Sequence, residues 1–132
     1  MKKESLDIKL FREDYSKKKI VIINTHWNAE IIKPMVEDCL ETLKKFKVNT
    51  HVLSVPGAYE IPYIVNKYLN YERPYFDAII TIGAIIKGET PHFDIISQSI
   101  SDSILAANAR GKIPILFGVL TTNNIDQAKE RA

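Results

Sequence analysis

The chain has 132 residues, 45% hydrophobic and 26% charged, with 18 Lys and Arg against 16 Asp and Glu and a formal net charge of +2. That length suits one domain with an ordinary core. The mild charge and the absence of five like charges in a row argue against a nucleic-acid surface. Cys39 is the only cysteine, so no internal disulfide can form, which fits a reducing compartment. No apolar stretch reaches the ~18 residues of a membrane span. The polar start, Met1 to Ser5, lacks the apolar core of a signal peptide, so the expected location is the cytoplasm.

The elements alternate strand and helix along the chain. Residues 19–24 form a continuous β-branched run, the pattern of a parallel strand covered on both faces. Residues 28–46 carry Ile31, Ile32, Met35, Val36, Leu40 and Leu43 at three- and four-residue spacing, which predicts a helix with one apolar stripe. Residues 48–55 read as strand, ended by the turn pair Pro56-Gly57. Residues 59–69 predict a short helix with Ile61, Ile64, Val65 and Leu69 inward. Pro62 falls in its first turn, where proline is tolerated.

Residues 77–86 are the clearest strand. Thr90-Pro91 then resembles an N-cap with proline at the first helical position. The helix it opens, residues 91–109, places Phe93, Ile96, Ile100 and Ile104 on one face. Residues 114–120 form the last strand. Asn124, with Gln127 in capping-box position, starts a final helix. Residues 9–11 offer a further edge strand. The expected fold is a single α/β domain over residues 1–132: a flavodoxin-like three-layer sandwich with a mainly parallel sheet of four to five strands. Ligands in such sheets bind beyond the carboxyl ends of strands. Four loops are therefore of interest, after Asn24, Val55, Ile86 and Leu120.

The first loop holds His26 and Trp27, the only tryptophan, either a packing aromatic or a flat surface for stacking a heterocycle. His26 has no partner motif, and His51 lies mid-strand as a structural or surface residue. In the second loop Gly57 and Ala58 leave peptide groups open to a ligand. Glu60 falls in a first helical turn, as a dipole partner or as an acceptor for hydroxyl and N–H groups. The third loop is richest. Gly88 admits a close ligand, Lys87 adds a cation, and a helix start near Thr90 suits an anion such as phosphate. His92 lies in that first turn, and imidazole as a class exchanges protons near neutral pH. In the fourth segment Phe117 is a packing residue of core or interface. Arg131 is either a solvated charge or a phosphate clamp. No metal-ligand spacing, glycine-rich nucleotide loop or nucleophile elbow occurs.

Taken together, the loops resemble the lumazine synthase family. The stretches that carry the likeness are Trp27-Asn28, Val55-Pro56-Gly57-Ala58-Tyr59-Glu60-Ile61-Pro62, the run from Ile82 to Asp94, and Phe117-Gly118-Val119-Leu120-Thr121 followed by Asp126-Gln127-Ala128 and Arg131. They span nearly the whole chain in the family's order. The resemblance implies a transferase that condenses 5-amino-6-(D-ribitylamino)uracil with 3,4-dihydroxy-2-butanone 4-phosphate. The products are 6,7-dimethyl-8-ribityllumazine, phosphate and water, with no cofactor and no metal.

It further implies that Trp27 stacks on the pyrimidine, where phenylalanine is frequent. Ala58, Tyr59 and Glu60 hold the ribityl chain, and Ala84, Ile85 and Ile86 line the pyrimidine pocket. Glu89 and Thr90 bind phosphate, and His92 transfers protons. Lys87 stands where arginine is frequent. Phe117 and Arg131 serve the neighbouring subunit's site in a homo-oligomer, a pentamer or a sixty-subunit shell, with no nucleic-acid or membrane partner. The family continues into a loop and a long C-terminal helix bearing a lysine, so a shortened final helix with weak assembly and weak turnover is expected. Two other readings compete: a non-catalytic flavin-binding module and a shell-forming scaffold of the same fold.

Overall fold

The computed structural model describes residues 14–132. They form β1 (Lys19–Thr25), α1 (Ala29–Lys45), β2 (Asn49–Val55), α2 (Ile61–Leu69), β3 (Ala78–Ile86), α3 (His92–Ala109), β4 (Ile115–Thr122) and α4 (Ile125–Arg131), with a short 3-10 turn, Ala58–Glu60, before α2. All described strands pair in parallel, in the order β2-β1-β3-β4. This is the expected α/β flavodoxin-like arrangement, with four strands among the described residues. The edge strand proposed over residues 9–11 lies outside them. Among the described residues no helix is long and apolar enough to cross a membrane.

Helices cover both sides of the sheet, which is why the strands read as unbroken apolar runs. Ile22 and Ile23 are adjacent in β1 and both 0% exposed, yet they enter different cores. Ile23 joins Val21, Ile79, Ile115 and Val119 against Ile61 and Val65 of α2 and Ile100 and Ile104 of α3. Ile22 joins Ile82 and Ala84 against Ile31 and Ile32 of α1 and Ala128 of α4. Each buried isoleucine contributes roughly 1.5–3 kcal/mol of apolar transfer free energy. The side chain of Asn108 ties the end of α3 to β4, donating to the Ile115 carbonyl (2.9 Å) and accepting from the Ile115 N–H (2.8 Å).

Two helix starts differ from expectation. The predicted helix over residues 59–69 divides, because residues 58–60 wind as a 3-10 turn before α2 begins at Ile61. Thr90 does not cap α3. The helix begins at His92 with Pro91 (φ −67°, ψ 2°) as the preceding turn residue, and no side chain caps it. At α4 the Asn124 side chain accepts from the Gln127 N–H at 2.9 Å, as predicted. The return bond is displaced by one residue, since Gln127 Oε1 accepts from the Asn123 N–H.

The chain moves from β1 outward to β2, then crosses back to β3 on the other side of β1. Right-handed crossovers in opposite directions send α1 to one face and α2 to the other. The gap between β1 and β3 at their carboxyl ends is thus the topological switch point, where such sheets take ligands.

Candidate active site

A cleft of about 800 Å³ opens at this switch point, within the usual range for small-molecule sites. Three of the four loops singled out above line it. Trp27 and Asn28 come from the β1–α1 junction, residues 56–60 from the segment after β2, and Ala84 to Ile86 from the end of β3. Gly88, Thr90, His92, Phe93, Ile95 and Ile96 complete the wall from the β3–α3 loop and α3. The fourth loop does not line it: it follows edge strand β4, on the side of β3 away from β1, and leads to α4 on the face opposite α2 and α3.

Strand geometry shapes the floor. Pairing between β1 and β3 ends at Asn24 and Ile82, while β3 continues to Ile86. Peptide groups along a parallel strand point alternately to its two neighbours. The Ile79 and Lys87 N–H groups donate to Pro114 and Thr122 carbonyls on the β4 side. The even-numbered residues therefore face β1. The Ala84 carbonyl accepts from Asn28 Nδ2 at 3.1 Å. The Ile86 N–H and C=O are left on that side with no strand opposite them. An adjacent donor and acceptor on a rigid edge matches the –NH–CO– edge of a planar heterocycle.

The walls are polar in one place and aromatic in another. Trp27 is 74% exposed, although its loop is held by the His26 N–H donating to Val55 O (2.9 Å) and the Trp27 N–H donating to Pro56 O (3.2 Å). Tyr59 is 63% exposed. One oxygen of Glu60, Oε2, accepts from the Gly57 N–H at 2.9 Å and closes the 3-10 turn. A Cβ at Gly57 would meet that oxygen at 3.2 Å, so the small residue lets the carboxylate close in. Glu60 thus has a structural task and also lies on the cleft.

The uncapped start of α3 presents its first backbone N–H groups and partial positive charge beside Gly88 and Thr90, an arrangement suited to an anion. Nothing lies within 4 Å of a Cβ built at Gly88, so the space over this loop is open. His92, the first residue of α3, is exposed at the cleft beside those N–H groups. Glu89, Phe117 and Arg131 are not on the cleft wall of this chain. Glu89 is exposed on the adjoining loop. Phe117 is 41% exposed on edge strand β4, and Arg131 is exposed on α4, its Nη1 donating to Gln127 O at 3.3 Å. Asn28, to which no role was assigned from sequence, is a cleft residue with a left-handed backbone. Its signal was an asparagine set between a strand end and a helix start.

A profile of the 6,7-dimethyl-8-ribityllumazine synthase family matches residues 17–132. The chain belongs to this family. A relative named 6,7-dimethyl-8-ribityllumazine synthase from Limosilactobacillus reuteri (strain DSM 20016) is 42% identical over 114 residues, 86% of this chain and 74% of its own length. One of the same name from Bacteroides fragilis (strain YCH46) is 38% identical over 117 residues, 86% of this chain and 80% of its own. A third so named, from Campylobacter jejuni subsp. doylei, is 42% identical over 120 residues, 89% of this chain and 77% of its own. Three of the four stretches that carried the resemblance supply most of the cleft's walls, and the fourth, Phe117 to Thr121 with Arg131, supplies none.

Proposed function

We propose that the chain is a transferase of riboflavin biosynthesis. It condenses 5-amino-6-(D-ribitylamino)uracil with 3,4-dihydroxy-2-butanone 4-phosphate to 6,7-dimethyl-8-ribityllumazine, the penultimate step. The observation that carries this reading is the convergence in one cleft of an exposed indole, an open peptide edge on β3 and an uncapped helix start bearing an imidazole. The indole offers a stacking face for the pyrimidine, and Ile86 offers a donor and acceptor for its ureide edge. Ala84 and Ile85 flank the ring. Ala58, Tyr59 and Glu60 form the end of the cleft that takes the polyol. Gly88, Glu89 and Thr90 with the start of α3 receive the phosphate.

The chemistry needs few groups. The 5-amino nitrogen attacks the ketone carbonyl and the resulting carbinolamine loses water. Phosphate is then eliminated to leave an enol that tautomerises to a carbonyl, and the ribitylamino nitrogen adds to that carbonyl and expels a second water to close the second ring. Each step moves a proton, which suits His92. The helix start stabilises the departing phosphate, and holding two substrates in register supplies much of the remaining acceleration. Phe117 and Arg131, exposed and off the cleft, complete the site of a neighbouring copy in a cytoplasmic homo-oligomer.

The test is direct. Purified protein is mixed with both substrates, and the yellow fluorescent lumazine and free phosphate are followed together. Equal amounts of both products are expected. Saturating substrates that yield neither would overturn the proposal.

A further inference from the structure

The ring of Trp27 is too exposed for packing within the chain to fix where it points. Its peptide is held instead. The N–H donates to Pro56 O at 3.2 Å, and the carbonyl accepts from Thr25 Oγ1 at 3.4 Å. The residue that follows completes the arrangement. Asn28 has φ 59° and ψ 43°, in the left-handed region. Among L-residues asparagine is one of the few that enter it readily. From that conformation its Nδ2 donates to the Ala84 carbonyl at 3.1 Å, and its own carbonyl accepts the Ile31 and Ile32 N–H groups at 2.9 and 3.0 Å. A single residue therefore turns the chain from β1 into α1 and fastens that turn to β3. The point of attachment lies two residues before the open Ile86 edge.

The geometry points to Asn28 as a positioning residue: it sets the separation between the Trp27 indole and the β3 edge, and so the width of the slot that admits a planar heterocycle. This rests on the reading of the cleft as the pyrimidine site. Glycine at position 28 would keep the left-handed turn but release Ala84. Alanine would lose the amide and strain the turn as well.

Trp27 is the only tryptophan in the chain beside six tyrosines, so fluorescence excited beyond the tyrosine absorption edge reads this ring alone. Time-resolved anisotropy of Trp27 is compared in wild type, Asn28→Gly and Asn28→Ala, together with KM for each substrate. Both variants are expected to show faster ring motion. KM for the uracil substrate should rise about tenfold, the scale of one lost base-stacking contact, while KM for the four-carbon phosphate changes less than about twofold. A merely structural role would lower melting temperature and worsen both KM values together. Unchanged anisotropy in Asn28→Gly, or parallel rises in both KM values, would overturn the inference. Wild-type protein that makes no lumazine would remove the reading of the cleft, and anisotropy would still decide whether Asn28 holds the ring.

Discussion

Gly118 of β4 lies so close to Thr81 of β3 that a Cβ at position 118 would stand 2.4 Å from the Thr81 carbonyl oxygen. Thr81 is itself fully buried, and its hydroxyl donates to the Leu116 carbonyl at 2.9 Å. The obstacle is backbone, so no rotamer change relieves it. Gly118→Ala is expected to destabilise the fold by about 1–3 kcal/mol, the usual cost of overpacking. Gly88, with open space around it, should accept alanine with a change under about 0.5 kcal/mol. Chemical denaturation of both variants checks the contrast. Equal stability of the two would show that β3 and β4 can shift apart freely.

His92 is exposed and begins a helix, so its removal should leave the fold within about 0.5 kcal/mol of wild type. If it carries the proton transfers, His92→Ala lowers kcat by about 10²–10⁴-fold. Turnover at saturating substrate is measured beside a thermal melt. Wild-type kcat in a well-folded variant would exclude the imidazole from the chemistry.

Much of this fold is legible because a sheet buried on both faces writes itself as continuous apolar strands. The same pattern hides which strand is at the edge. Ile115, Leu116 and Phe117 are as apolar a run as the central strands carry, yet only Ile115 is buried, while Leu116 is 49% and Phe117 41% exposed. Proline signals also carry less than they suggest. Pro34 lies inside α1 without ending it, the helix being held by Ile31 and Ile32 packed into the core. Pro91 forms the turn before α3 instead of its first helical residue. Three of the four loops meet at the cleft. The fourth does not, since it follows edge strand β4, on the side of β3 away from β1, and feeds a helix on the face opposite α2 and α3, a fact of topology that no local pattern records. The role of Asn28 depends on a contact 56 positions away, and local sequence says nothing of that distance.

Cys39 lies half-buried on α1, packed against the cluster that contains Ile22, Ile31 and Ile32. Burial, and secondarily the negative charge of Asp38, push its thiol pKa above the ordinary 9.0. Only the thiolate is nucleophilic. Iodoacetamide at pH 8 should therefore alkylate the folded protein more slowly than the denatured chain, with the folded rate rising at higher pH than in the denatured one. Because the folded pKa is raised, the group's contribution to stability is present below about pH 9 and is lost as pH climbs through the folded value. Alkylation rates followed by intact mass test this. A folded-state midpoint at or below 9.0 would contradict it.

His92 lies on the cleft of this chain while Arg131 does not. If the neighbouring copy supplies the guanidinium, the two residues of one working site belong to different protomers. His92→Ala and Arg131→Ala should each be nearly inactive alone. Unfolded together in equal amounts and refolded, they should recover activity at about a quarter of wild-type sites. That is the random share of neighbour pairs in which one protomer brings the imidazole and the next the guanidinium in a cyclic oligomer. Native mass spectrometry of the mixture confirms co-assembly, and lumazine formation reads the sites. Mixed oligomers without recovered activity, or Arg131→Ala with full activity on its own, would mean that the cleft works with the residues of a single chain.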